Sequence, residues 1–199
     1  PYTSNGYATR SHGIACGLVS AGWQVQAVTR PGFPWDAEPQ MLSSRYVKQQ
    51  LDGVNYLAFD SAHLDEVGLD HYIQLAADHF CREAQHHRAS IIVAASNHIT
   101  AIPALIAARR LGIPFVYELR GLWHLTKAAV RADWAGSENF ELEQQLELFV
   151  AAEADQVFTL TTQLEAVLRR AGVTTPVDLV PNAVDCQQFF PQAPAATLQ

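Results

Sequence analysis

The sequence predicts an α/β fold, an open, doubly wound and mostly parallel sheet with helices on both faces. Three observations predict it. After one helical pattern, segments follow in the order β, β, α, β, α, β, α, β, α, β, and strands that alternate with helices build parallel sheets. The strand segments include the continuous apolar runs IIVAA (91–95) and FVY (115–117), as expected of strands buried on both faces. Glycines at 22, 112 and 172 stand where three of the helical patterns stop, the position where a left-handed residue closes a helix.

Residues 1–7 read as a polar loop containing Gly6. A helical pattern covers 8–21, with Ile14, Leu18 and Val19 in register. A short strand follows at 24–29 (QVQAVT), and the prolines and glycine of RPGFPWD (30–36) make a loop. Residues 37–53 show no clear period. VNYLAF (54–59) is a strand, and 68–88 is a long helix in which Leu69, Ile73, Ala76, Phe80 and Ala84 follow i, i+3/i+4 spacing.

Residues 90–123 organise the chain. The strand 91–95 runs into the polar turn Ser96-Asn97-His98. A helix with Ile102, Leu105, Ile106 and Leu111 on one side follows, and Pro114 opens the next strand. This is a right-handed βαβ unit. Ligands of such sheets bind beyond the carboxyl ends of the strands, which directs attention to Ser96, Asn97 and His98 and to Glu118 and Arg120. Residues 124–136 read as a loop. Ser137 caps a helix over 138–153, with Phe140, Leu146, Phe149 and Val150 inward and Glu138, Glu141, Glu143 and Glu147 on a solvated face. QVFTL (156–160) is a strand, Thr162 and Glu165 form a capping-box pair for the helix to 171, and VDLV (177–180) is the last strand. One domain is expected over 1–190, with 191–199 a Pro/Ala/Gln-rich linker. In a doubly wound sheet the loop before the first helix follows a central strand. Residues 1–6 read as that loop, and its strand is not among the 199 residues.

Composition narrows the function. Hydrophobic residues make up 49% of the chain, a globular share. A net charge of −7 argues against broad nucleic-acid binding, although Arg109, Arg110, Arg120, Lys127 and Arg131 lie close enough in sequence for a local basic groove. The cysteines 16, 81 and 186 are odd in number and widely spaced, with no metal or redox spacing, and read as reduced small hydrophobes. No apolar run is long enough to span a membrane, and no signal peptide is visible.

Candidate chemistry is sparse. His98 lies at a strand end and a helix start, where a neutral imidazole can bond a hydroxyl or an oxyanion; a helix cap is the structural alternative. Arg120, before Gly121, suits a phosphate or carboxylate, or else an ion pair with Glu118. Asn5 and Gly6 open the first helix, an anion-binding position. His79, Glu83 and His86 share a helix face at metal-binding spacing, but that face is expected to be solvated. G-x-G-x-x-G, the P-loop motif and G-x-S-x-G are all absent, which lowers dinucleotide, nucleotide-hydrolase and esterase-type readings.

Five stretches in order resemble the amino-terminal, acceptor-side domain of family 4 retaining glycosyltransferases. They are SNGYATRSHG (4–13), VTRPGFPWD (28–36), ALIAARRLGIPFVYELRGLW (104–123), EADQVFTLT (153–161), and VPNAVD (180–185) followed by Phe190-Pro191. The resemblance implies a Rossmann-like domain, one half of a two-domain GT-B-type enzyme. It also implies retaining transfer of a sugar from a nucleotide-sugar to an acceptor hydroxyl, in glycan, polysaccharide or glycolipid synthesis, with no metal and no cofactor. His98 matches the histidine that helps place the transferred sugar and is the expected catalytic residue. Asn5 and Gly6 border the donor phosphates or the reaction centre, Arg120 and Gly121 stand where many relatives carry His-Gly, and 122–137 faces the acceptor. Expected partners are the nucleotide-sugar donor, a sugar or lipid-linked acceptor, and a carboxyl-terminal domain that holds most nucleotide contacts. The expected location is cytoplasmic, at most peripheral on the inner face of the membrane. Rival readings are a Rossmann-type NAD(P)-binding oxidoreductase or epimerase and a non-catalytic flavodoxin-like binding module.

Overall fold

The computed structural model describes residues 5–37, 44–61, 63–186 and 189–191. The rest of the expected opening loop and of the 191–199 linker lies outside the described residues. The elements are α1 (Gly6–Ser20), β1 (Gln26–Val28), β2 (Tyr46–Leu51), β3 (Val54–Phe59), α2 (Leu64–Val67), α3 (Leu69–His86), β4 (Ile92–Ala95), α4 (His98–Leu111), β5 (Phe115–Leu119), α5 (Trp123–Val130), α6 (Glu138–Glu153), β6 (Gln156–Thr159), α7 (Thr162–Arg170) and β7 (Val177–Leu179). The chain is α/β throughout, with the alternation the sequence predicts.

Strands β4, β5, β6 and β7 are hydrogen-bonded in that order, all parallel. The other sheet has the order β1-β3-β2, parallel between β1 and β3 and antiparallel between β3 and β2. Among the described residues β1 pairs only with β3, and β4 only with β5. The amides of Ile92 and Ser96 point to the β5 side, at 3.0 Å from the carbonyls of Pro114 and Glu118. By alternation those of Val93 and Ala95 point the other way. Among the described residues β1 and β4 are therefore each an edge of their sheet.

The centre of the core is β5, every residue of which is buried. Buried Ala101, Ala104, Ala107 and Ala108 give α4 a small-residue face, and α4 packs on α3 and α6. Gly112 ends α4 in the left-handed region, at φ 65°, which a residue with a Cβ enters only at a cost.

Five expectations change. Residues 123–130 form a helix instead of a loop; WHLTKAAV contains good helix formers, and His124 is buried. Phe149 faces outward, half exposed, whereas Val150 is fully buried. Glu147 is 2% exposed and belongs to the interior, not to a solvated face. His79 is buried also, stacked on Phe59 with ring centroids 3.2 Å apart. The cations of the supposed basic groove are each paired: Arg109 with Asp155, Arg110 with Asp78, Arg120 with Glu118, Lys127 with Glu143 and Arg131 with Asp133. They therefore form no open cationic surface.

Candidate active site at the strand ends

Asn5 is the N-cap of α1. Its backbone is extended and its side chain accepts the amide of Ala8 at 2.9 Å. The amides of Gly6 and Tyr7 have no partner within the helix, and both residues are exposed. Among the described residues a Cβ on Gly6 would meet nothing within 4 Å, so none of them requires glycine there. Gly121 faces the same helix end: a Cβ on it would lie 3.8 Å from the Tyr7 hydroxyl. The Tyr7 ring in turn stacks on Trp123 at 5.4 Å.

Beneath this helix end lies a buried charge cluster. Glu118, 4% exposed, accepts Arg10 Nε at 2.8 Å and an Arg120 guanidinium nitrogen at 2.6 Å. Arg120 also donates to the Tyr7 carbonyl at 3.1 Å and to Ser11 Oγ at 2.7 Å. Arg10 reaches on to the carbonyls of Val180 (2.6 Å) and Pro181 (3.0 Å). Of the two guanidinium groups and one carboxylate, Arg120 is thus committed to joining β5 to α1, the ion-pair alternative of the sequence reading. Arg10 joins α1 to the chain after β7. One positive charge remains in excess behind the positive end of a helix, a field that favours an anion.

His98 is the first residue of α4, next to its N-cap Asn97, whose side chain accepts the Ile99 amide at 3.2 Å. Its ring is buried. Glu147 of α6 accepts the His98 amide at 2.8 Å and meets its Nδ1 at 3.1 Å, and it also accepts the Tyr117 hydroxyl. A carboxylate at a helix N-terminus with three donors is stabilised in place. In the tautomer in which Nδ1 donates to Glu147, Nε2 is left as the acceptor. Burial, together with the nearby Glu147 charge, drives the Tyr117 phenol well above its usual value. Ser96 ties the two strand ends together, its Oγ accepting the Arg120 amide at 2.9 Å.

The structure therefore brings Asn5, Gly6, Arg120 and Gly121 to one helix end and places His98 on the neighbouring strand end. Sequence reasoning missed Arg10, Tyr117, Glu147 and His124. Arg10 lies one turn after Gly6, and Glu147 falls three residues before buried Val150; those spacings were the available signals. Next to Glu147 is a cavity of about 290 Å³ whose lining includes Leu119, Leu122, His124, Gln144 and Arg170. His124 is 2% exposed and lies edge-on to Phe140 at 4.9 Å, and its Nδ1 has no hydrogen-bond partner among the described residues. Burial lowers its pKa against the opposing pull of Glu147 and Glu143.

Solved structures share this architecture. Sucrose-phosphate synthase from Thermosynechococcus elongatus matches with a TM-score of 0.72 at 16% identity, over 95% of this chain and 45% of that one. A second structure of the same enzyme matches with a TM-score of 0.61 at 13% identity, over 90% of this chain and 87% of that one. UGT73P12 from Glycyrrhiza uralensis, complexed with glycyrrhetinic acid 3-O-monoglucuronide, matches with a TM-score of 0.53 at 13% identity, over 89% and 46%. The chain thus spans about half the length of the longer of these proteins. A search of curated proteins returned no match. The sequence pattern of the glycosyl transferase 4-like domain matches residues 5–183, and the chain belongs to that family.

Proposed function

We propose that this chain is the acceptor-side half of a retaining glycosyltransferase. The enzyme moves a sugar from a nucleotide-sugar to an acceptor hydroxyl, in glycan, polysaccharide or glycolipid synthesis. The observation that carries this reading is the exposed N-terminus of α1 backed by the Arg10–Glu118–Arg120 cluster. Sugar transfer develops positive charge on the sugar and negative charge on the departing phosphate, and fixed dipoles aimed at that charge lower the barrier. The amides of Gly6 and Tyr7 suit a phosphate oxygen. Arg120 contributes charge and holds the helix rather than touching the donor.

His98 is the residue assigned here to the transferred sugar, its ring held by Glu147. The α5 segment and the loop to Ser137, with the cavity beside His124, form the acceptor side. The partners are the nucleotide-sugar, a sugar or lipid-linked acceptor, and a carboxyl-terminal domain that holds the nucleotide. No cofactor or metal takes part in transfer, and residues 1–199 alone are expected to be inert. Among the described residues no helix is long and apolar enough to cross a membrane. The location proposed from the family resemblance is cytoplasmic, at most peripheral at the inner face of the membrane.

Calorimetry and thermal shift of the full-length protein against UDP-, GDP- and ADP-sugars test the proposal. Saturable stabilisation by one of them is expected. Stabilisation by NAD(P) and by no nucleotide-sugar would overturn it in favour of a dinucleotide enzyme.

A further inference from the structure

Away from the strand ends, α1 carries a second cluster. His12 and Cys16 lie four residues apart, so they share one helix face. Opposite them is Asp52, in the two-residue Asp52-Gly53 turn between β2 and β3. Both turn residues have positive φ, 49° and 79°. One oxygen of Asp52, one ring nitrogen of His12 and the Cys16 sulfur all lie within 4.8 Å of one another. His12 Nε2 lies 2.9 Å from Asp52 Oδ2 and 3.5 Å from Cys16 Sγ. Nδ1 lies 2.8 Å from the Tyr56 hydroxyl and 3.8 Å from the same sulfur.

We infer that His12, Cys16 and Asp52 form a binding site for a thiophilic divalent cation, zinc above all, that clips α1 to the β2–β3 turn. Each residue supplies one donor atom of a type zinc takes, and a fourth position stays open toward solvent on the side of Asp52, whose side chain is 70% exposed. Zinc–sulfur and zinc–nitrogen bonds of roughly 2.3 and 2.0 Å at a tetrahedral angle hold the two atoms about 3.5 Å apart, the separation found between Sγ and Nε2. Nε2 and Asp52 Oδ2, now in direct contact at 2.9 Å, would part by about 0.4 Å and the ring would turn on its χ angles to admit the ion. The Tyr56 hydroxyl supplies what a ligating imidazole needs at its other nitrogen, a partner that fixes the ring's orientation. A thiolate and a carboxylate balance the charge of the ion. His12 and Cys16 lie six and ten residues beyond Gly6, about 9 and 15 Å along the helix. The ion would therefore fix the rear of α1 without reaching the phosphate end.

The test is cobalt(II) titration of the reduced, chelator-stripped full-length protein, followed by zinc displacement. One equivalent of cobalt should produce visible bands of tetrahedral intensity and a thiolate charge-transfer band in the near ultraviolet, both bleached by zinc. In Cys16→Ser the charge-transfer band should vanish. In Asp52→Asn and Tyr56→Phe affinity should fall roughly tenfold or more, with circular dichroism unchanged. Absence of the bands from the wild type would overturn the inference. So would a charge-transfer band that survives Cys16→Ser, which would assign the metal to Cys81 or Cys186.

Discussion

One carboxylate of α6, Glu147, accepts the backbone amide of His98 at 2.8 Å and meets the imidazole Nδ1 of the same residue at 3.1 Å. Glu147 thus caps α4 from outside and orients the histidine that α4 begins with. The fold and the candidate chemistry share this contact, so the two can be separated by substitution.

Glu147→Ala leaves the His98 amide and the Tyr117 hydroxyl buried without a partner. It is expected to destabilise the protein by about 3–5 kcal/mol, read as the urea midpoint. Glu147→Gln keeps the shape and part of the bonding and is expected to cost about 1–3 kcal/mol. An unchanged midpoint in both variants would contradict the cap.

Arg120 donates to Glu118, Ser11 and Tyr7 from one planar fork. A lysine keeps the charge but cannot reach all three. Arg120→Lys is expected to lower stability by about 1–3 kcal/mol while retaining a bound donor at reduced affinity. Equal stability would show that the fork does not hold α1.

Burial holds His79 neutral, with its pKa lowered from 6.5 to about 4 and Arg82 adding to the effect. Between those values the unfolded chain binds the proton and the folded chain does not, so stability rises with pH across that window. The contribution is complete above about pH 6.5 and is lost as pH falls toward 4, in total about 3 kcal/mol at most. Urea midpoints measured from pH 7 to 4.5 should therefore fall less steeply in His79→Phe than in the wild type. Parallel curves would contradict the assignment.

Much of this was readable in the sequence, for physical reasons. The β4–α4–β5 unit was visible because its strands are apolar on both faces and Gly112 supplies the left-handed stop. Strand β2 was missed because it is an exposed edge strand with few apolar residues, although the Asp52-Gly53 pair marks a two-residue hairpin. Helix α5 was missed because its mixed polarity hides a burial that comes from tertiary packing. Asn5, Gly6, His98, Arg120 and Gly121 could be singled out as candidates because a strand end or helix start puts a residue at the sheet's carboxyl edge. Their partners were not, because whether Glu147 faces inward or outward depends on the rotation of α6 against α4, which no local pattern sets. The five-helix-residue reach from Gly6 to Arg10 and Ser11 likewise gains meaning only once β5 lies below it.

Gly112→Ala tests the α4 terminus by itself. A Cβ there meets no neighbour, but φ is 65°, so the expected loss is about 1 kcal/mol, without effect on ligand binding. A loss near zero would mean the helix end relaxes.

The most direct test of the central claim is calorimetric titration of the nucleotide-sugar that stabilises the full-length protein, comparing wild type with Gly6→Ala. Gly6 is exposed and a Cβ on it meets none of the described residues, so the unfolding midpoint should not fall. If a donor phosphate lies against the α1 amides, the added methyl blocks its approach, and Kd should rise roughly tenfold, a loss of about 1.4 kcal/mol. An unchanged Kd with an unchanged midpoint would contradict the account and place the donor elsewhere.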